Sequence, residues 1–238
     1  MSDTHNFALP LLASNQAQKH VTMNEALTRL DALAAPSVLS ADLATPPESP
    51  AENDAYVIPA SASEAWAGHE NELAFFSNGG WSFATPKAGW RVWVTERGEA
   101  IVFSGDAWLR DPVGPIEHGA YMRAGVIVAD IPVAPGFGFD ADLSIPDRAV
   151  VVGVTGRVIS TIAGPNLTGW RLGVSGATDR YGSSIGLPKN SVVNGVTSAP
   201  LAYYALTPLR VEPEGGSFAE GEVRLAIHYL ALTPPDLV

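Results

Sequence analysis

One ten-residue pattern occurs twice between Asn53 and Trp108, and it commits that stretch to β-structure. Glu72-Leu73-Ala74-Phe75-Phe76-Ser77-Asn78-Gly79-Gly80-Trp81 aligns with Glu99-Ala100-Ile101-Val102-Phe103-Ser104-Gly105-Asp106-Ala107-Trp108, 27 residues later. Glu, Phe, Ser and Trp occupy the same places in both copies. Each copy reads as an apolar strand, a turn rich in Gly, Asn or Asp, and a second strand that starts near a Trp. Asn78-Gly79 is a strong hairpin signal because both residues tolerate φ > 0. Between the copies Trp90, Val92 and Val94 alternate with Arg91 and Trp93, as on a two-faced strand. Residues 53–113 are therefore expected to form a small Trp-rich β-module of hairpins. Its Trp residues could stack on sugars or fill the core. Trp81 and Trp108 hold matching repeat positions and are read as core.

From Gly119 onward the chain reads as strands and turns. Residues 149–162 are rich in β-branched side chains, with Gly153 and Gly156 inside the run. Trp170, Leu172 and Val174 alternate with Arg171 and Gly173. Leu201, Tyr203 and Ala205 alternate with Ala202, Tyr204 and Leu206. Val223, Leu225, Ile227 and Tyr229 alternate with Arg224, Ala226 and His228. About eight strands and no useful helical period predict a jelly-roll-like β-sandwich over 114–238.

The N-terminal part differs. Residues 1–13 read as an extended arm. Ser14 or Asn15 can cap a helix running to about Ala35 and stopped by Pro36. Ala13, Gln16, His20, Met23, Leu27, Leu30 and Ala34 recur at heptad spacing, so Met23, Leu27 and Leu30 are the expected oligomerisation residues. The competing reading lays this helix on its own β-sheet. Pro36 to Glu52, with Pro46-Pro47 and Pro50, reads as a semi-rigid surface linker. The expected organisation is mainly β: arm and helix 1–36, linker 37–52, β-module 53–113 and sandwich 114–238.

Composition removes several function classes. With 25 acidic against 14 basic residues the net charge is −11, which repels phosphate backbones and sets nucleic acid aside. No cysteine is present, so there are no disulfides or thiolate metal sites. Residues 1–13 lack a basic n-region, and no run is long and apolar enough to span a bilayer. Release by lysis is the route expected from the cytoplasm.

Candidate chemistry is sparse. Gly182-Ser183-Ser184-Ile185-Gly186 fits G-x-S-x-G, with Glu212, Glu214 and His228 following in triad order, but the strand–turn–helix context is missing. Asp140, Asp142 and Asp147 could hold a hard cation or form a solvated turn. The five His are far apart, and no cofactor fingerprint is present. The richest polar run is Thr178 to Ser184. Asp179, Arg180 and Tyr181, with Lys189 and Asn190, combine hydrogen-bonding groups and an aromatic face, as a carbohydrate site needs. A surface loop with an internal Asp–Arg pair is the plainer reading.

Three stretches resemble a known family. They are Leu9-Pro10 with Ser14 to Leu27, Pro46 to Ile58, and Ala65-Trp66-Ala67-Gly68-His69. Over about residues 8–110 the chain resembles the domain of unknown function found in alphaproteobacterial prophages and gene transfer agents, in head-spike and fibre proteins. Asn53 stands where members often have Gly. The C-terminal Trp170 to Val174 and Asp179 to Gly182 resemble the segment C-terminal to that domain in several members. The resemblance implies a non-enzymatic virion protein that adsorbs to host capsular polysaccharide. Its implied partners are a capsid or spike-base protein at the particle vertex and further copies of itself, as a trimer or a pentamer. It implies no cofactor and no catalytic residue. A capsule-degrading hydrolase and a spike base without sugar affinity are the alternatives.

Overall fold

In a computed structural model of the chain, residues 3–13 and 19–235 are described. They form one α-helix, sixteen strands and a short 3-10 turn, in two compact units, Met1–Asp111 and Pro112–Val238.

In the first unit the repeat becomes two three-stranded antiparallel meanders. One is β2 (Ala55–Val57), β3 (Leu73–Ser77) and β4 (Gly80–Ala84). The other is β5 (Arg91–Val94), β6 (Glu99–Phe103) and β7 (Trp108–Arg110). Phe76 pairs with Trp81 and Phe103 with Trp108, in the same register and with ring centroids 5.2 Å apart in both copies. The turns differ. Asn78 and Gly79 both take positive φ and close a two-residue hairpin. The second copy uses a longer loop, in which the Ser104 hydroxyl accepts the N–H groups of Asp106 and Ala107. Trp66 is fully buried against Tyr56 and Trp81. Trp81 and Trp108, expected as core, are only half-buried, and Trp93 faces outward.

The helix α1 (Lys19–Ala34) is rich in Ala, Leu and other good helix formers, and it ends just before Pro36. The expected caps Ser14 and Asn15, and Gln16 of the stripe, lie outside the described residues. The helix turns Asp31, Ala32 and Leu33 inward. The heptad stripe is split: Leu27 is half-buried, whereas Met23 and Leu30 are 51% and 56% exposed.

Two expectations here need correction. The arm is not extended, because Asp3 bridges to Pro10 and the Thr4 N–H donates to the Leu9 carbonyl at 2.9 Å. Nor does the Pro-rich stretch only lie over the surface. Its start, β1 (Ser37–Val38), runs parallel to β5, and Ser40 then bridges in parallel to Tyr56. Val38 is buried with Val57, Leu73, Val92 and Ile101, with Ala32 and Leu33 packed against them. Helix, strap and meanders thus share one core, because neither small sheet has enough apolar surface to stand alone.

The second unit is a sandwich. Its strands are β8 (Pro112–Glu117), β9 (Ala120–Pro132), β10 (Phe139–Ile145), β11 (Val150–Ala163), β12 (Gly169–Val174), β13 (Ala177–Ile185), β14 (Val192–Ala202), β15 (Thr207–Glu214) and β16 (Glu220–Thr233). One sheet has the order β14-β11-β16-β9-β8 and the other β10-β15-β12-β13. All ladders are antiparallel, and β9 to β16 follow the jelly-roll order of two Greek keys, with β8 added at an edge. The expected jelly-roll-like sandwich is the observed fold. Trp170, Leu172, Leu209, Leu225 and Ile227 fill the space between the sheets, and the alternation over 170–174 and 223–229 points them there. The alternation over 201–206 misled. β14 ends at Ala202, the chain bends, and Tyr204 and Leu206 are exposed. Gly195 is needed on β14, since a Cβ there would lie 2.2 Å from the Tyr181 carbonyl oxygen.

The two outer faces contrast. On the four-stranded sheet Arg171, Glu212, Arg210 and Asp140 form one chain of ion pairs. Burial pushes the Glu212 carboxyl up, but hydrogen bonds from Arg210 and Arg171 outweigh it and hold the carboxyl below its usual value. On the five-stranded sheet Val196, Gly153, His228 and Val126 form one cross-strand row, and Asn194, Thr155, Ala226 and Val128 the next. Val126, Val128, Val192 and Val196 are each more than half exposed.

Candidate functional site

The groove of the second unit grows out of a fault in one ladder. Along β11 the register to β16 shifts between Val158 and Ser160, and again between Ser160 and Ala163. Such bulges unpair backbone and re-aim side chains. Gly221 sits opposite at φ 140°, and a Cβ there would meet the Ile162 Cα at 2.7 Å. Glycine therefore lets the strands close where the bulge crowds them. The displaced backbone is satisfied from the β13–β14 connection: the Ile162 N–H donates to the Leu187 carbonyl at 3.0 Å, and the Lys189 N–H to the Thr161 hydroxyl at 3.2 Å.

Beside this bulge lies a groove of about 510 Å³, lined by Ser160, Thr161, Lys189, Glu220, Glu222 and the neighbouring backbone. Among the described residues the Lys189 ammonium and the Glu220 carboxylate have no ion-pair partner. The nearby Arg224 is held by Asp130 through two contacts of 2.6 and 2.7 Å. That hydrogen bonding keeps the Asp130 carboxyl below its usual value. The groove thus offers one free cation, carboxylates and two hydroxyls at an open mouth. Such a set can bridge the hydroxyls of a polar ligand but offers no aromatic stacking face.

The residues expected to bind carbohydrate do not form one loop. Asp179 and Arg180 are exposed, but they lie on strand β13 and form no ion pair with each other. Tyr181 cannot supply a stacking face, because it is 1% exposed and its ring is part of the sandwich core. Its hydroxyl is 2.7 Å from that of Tyr203, and burial together with this bond pushes the Tyr181 phenol well above its usual value. Lys189 and Asn190 lie beyond the far end of β13. The Asn190 N–H donates to the Val158 carbonyl, and its own carbonyl accepts from Arg157. Of the five, Lys189 reaches the groove. Ser160, Thr161, Glu220 and Glu222 were missed. No local motif marks them, since strands distant in sequence bring them together.

The other candidates disperse. Ser184 lies on β13 in the four-stranded sheet and its N–H donates to Glu214, whereas His228 lies on β16 in the other sheet and bonds to Thr155. The nucleophile-elbow triad is not assembled. Asp140 is engaged by Arg210. Among the described residues no group of three acids or histidines is placed to hold a metal, and no helix is long and apolar enough to cross a membrane.

Residues 23–109, less than half the chain, match the family described as Protein of unknown function (DUF2793). No curated protein matches the chain. Among the solved structures that match in part are two phage capsid chains. One is a chain of the "Cyanophage Pam1 capsid asymmetric unit", 21% identical with a TM-score of 0.37, covering 54% of this chain and 96% of that one. The other belongs to the "Acidic stable capsid structure of Helicobacter pylori bacteriophage KHP30", 10% identical with a TM-score of 0.32, covering 49% and 99%.

Proposed function

We propose that the chain is a virion structural protein, a head spike or fibre of a phage-like particle or gene transfer agent, that adsorbs to host capsular polysaccharide. One observation carries the reading. The family-matched segment, 23–109, falls inside one compact unit that closes at Asp111, and the jelly roll forms a separate module beyond it. An N-terminal arm and helix that anchor, a β-module that spaces and a C-terminal sandwich that presents loops fit the resemblance to head-spike and fibre proteins. The arm and helix, residues 1–36, dock on a capsid or spike-base protein at the vertex. The jelly roll meets the capsule through the groove at Lys189, Glu220 and Glu222, with Asp179 and Arg180 as a second exposed pair.

The adsorption test uses whole particles on encapsulated cells. Lys189→Glu combined with Glu220→Gln should leave the fold intact, since neither side chain holds an ion pair among the described residues. It should weaken each site by about 1 kcal/mol, the net worth of a hydrogen bond. Repetition over copies multiplies that into a severalfold loss of adsorption. Arg180→Ala probes the other end of β13, and its loss should be larger on an acidic capsule. Particles carrying all three changes that adsorb like the parent would remove polysaccharide recognition from this unit.

The exposed part of the split stripe motivates a self-association contact on the helix. Met23, Leu30 and half-buried Leu27 present apolar surface on α1, and closed cyclic symmetry is the common solution for homo-oligomers. Leu27→Asp with Leu30→Asp should reduce a trimer or pentamer to monomer by light scattering. An unchanged mass would move the contact to the outer face of the five-stranded sheet, around Val126 and Val196.

A further inference from the structure

A second cleft, of about 320 Å³, opens in the first unit where residues after β2 face β6 and β7. Its floor is apolar, with Ala41, Pro59 and Ala107 lining it over the fully buried Ile58 and Ile101. Trp108 forms one wall, and its indole N–H donates to the Asn71 carbonyl at 2.9 Å, which fixes the ring. Asp42 and Asn71 stand at the rim. The charges are compensated in an uneven way. Arg97 donates to Asp42 at 3.0 Å and to Glu99 at 3.4 Å, and Arg110 donates to the same Glu99. The arginines therefore have little to offer an anion. The acceptors do have capacity. Among the described residues the Asp42 side chain, 64% exposed, receives only Arg97, and the Asn71 side-chain oxygen accepts nothing.

An apolar floor, one fixed aromatic ring and spare acceptors select a ligand with hydroxyl donors on its rim and C–H groups on one face. The volume lies near the bottom of the range for small-ligand sites, about 300–1,000 Å³, which suits one ring. We infer that this cleft binds a single pyranose unit of a glycan, with hydroxyls donating to Asp42 and Asn71 and a C–H face against Trp108. The site lies almost wholly within the family-matched segment. It is independent of the groove in the jelly roll.

The test is a titration of the full chain, labelled with 15N, with the methyl glycosides of glucose, N-acetylglucosamine and glucuronic acid. The indole signal missing in Trp108→Phe identifies Trp108. That signal should shift saturably with at least one glycoside, at a millimolar Kd. Asp42→Ala should weaken the binding about fivefold, with the backbone spectrum unchanged elsewhere, the loss expected for one hydrogen bond. Lys189→Glu should leave it unchanged, so a failure here and a failure of the jelly-roll groove read out separately. Absence of a shift with all three glycosides, or equal binding by Asp42→Ala, overturns the assignment.

Discussion

Trp170→Ala should unfold the jelly roll at denaturant concentrations that leave the parent folded. Trp170 is fully buried between the sheets and packs in the same cluster as Leu172, Leu209 and Ile227. Truncating a buried aromatic ring to Ala costs about 3–5 kcal/mol in transfer and cavity terms. The indole also donates to the carbonyl of exposed Gly186 at 3.1 Å, and losing such a bond costs about 0.5–1.5 kcal/mol more. Against a typical domain stability of roughly 5–15 kcal/mol, that sum removes most of the margin. Urea unfolding followed by far-UV circular dichroism reads it. Trp66 supplies the contrast. It too is fully buried, but its indole N–H has no partner among the described residues. Trp66→Phe should therefore cost less than Trp170→Phe, because only the second loses a hydrogen bond. Equal losses would mean that ring volume alone decides.

The parts legible in the sequence were those whose cause is local. The Phe–Trp repeat set the same cross-strand pair twice, because the strand period and the Asn78-Gly79 turn act over a few residues. The alternation at 170–174 and 223–229 pointed to the sandwich interior for the same reason. Tyr181 was misread because Asp179 and Arg180 beside it suggest a solvated loop. Packing against another strand buries its ring, and Tyr203, 22 residues away, satisfies its hydroxyl. The groove was invisible for a related reason. Lys189 and Thr161 meet Glu220 and Glu222 only because β11 slips against β16 at a bulge, and a register shift leaves no compositional trace. Pro46, Pro47 and Pro50 suggested a linker, yet Val38 just ahead of them is a core residue. One apolar side chain in a two-residue strand is too little pattern to read.

Asp31 should release the N-terminal arm when it loses its charge. The carboxylate is 4% exposed on the inner face of α1. It accepts the Thr4 hydroxyl at 2.7 Å and the N–H groups of Asn6 and Phe7 at 2.8 Å each. Burial pushes its carboxyl up, but those three hydrogen bonds and the nearby His5 prevail and hold it below the usual aspartate value. A depressed carboxyl stabilises the bound arm fully above its unfolded value of about 3.9. That contribution falls as the pH drops through the lower, folded value. The backbone amide signals of Asn6 and Phe7 should therefore move to free-chain positions only in strong acid. Asp31→Ala should move them at neutral pH, since it strips the acceptor from three donors at about 1–3 kcal/mol for each left buried. The change should stop short of the helix. Asn24 holds Leu12 through two further bonds, from the Leu12 N–H at 2.8 Å and to its carbonyl at 3.0 Å. Signals of Leu12 should stay fixed while those of residues 4–9 shift. Amides of Asn6 and Phe7 that do not respond to Asp31→Ala would show that the arm is held by packing rather than by this carboxylate.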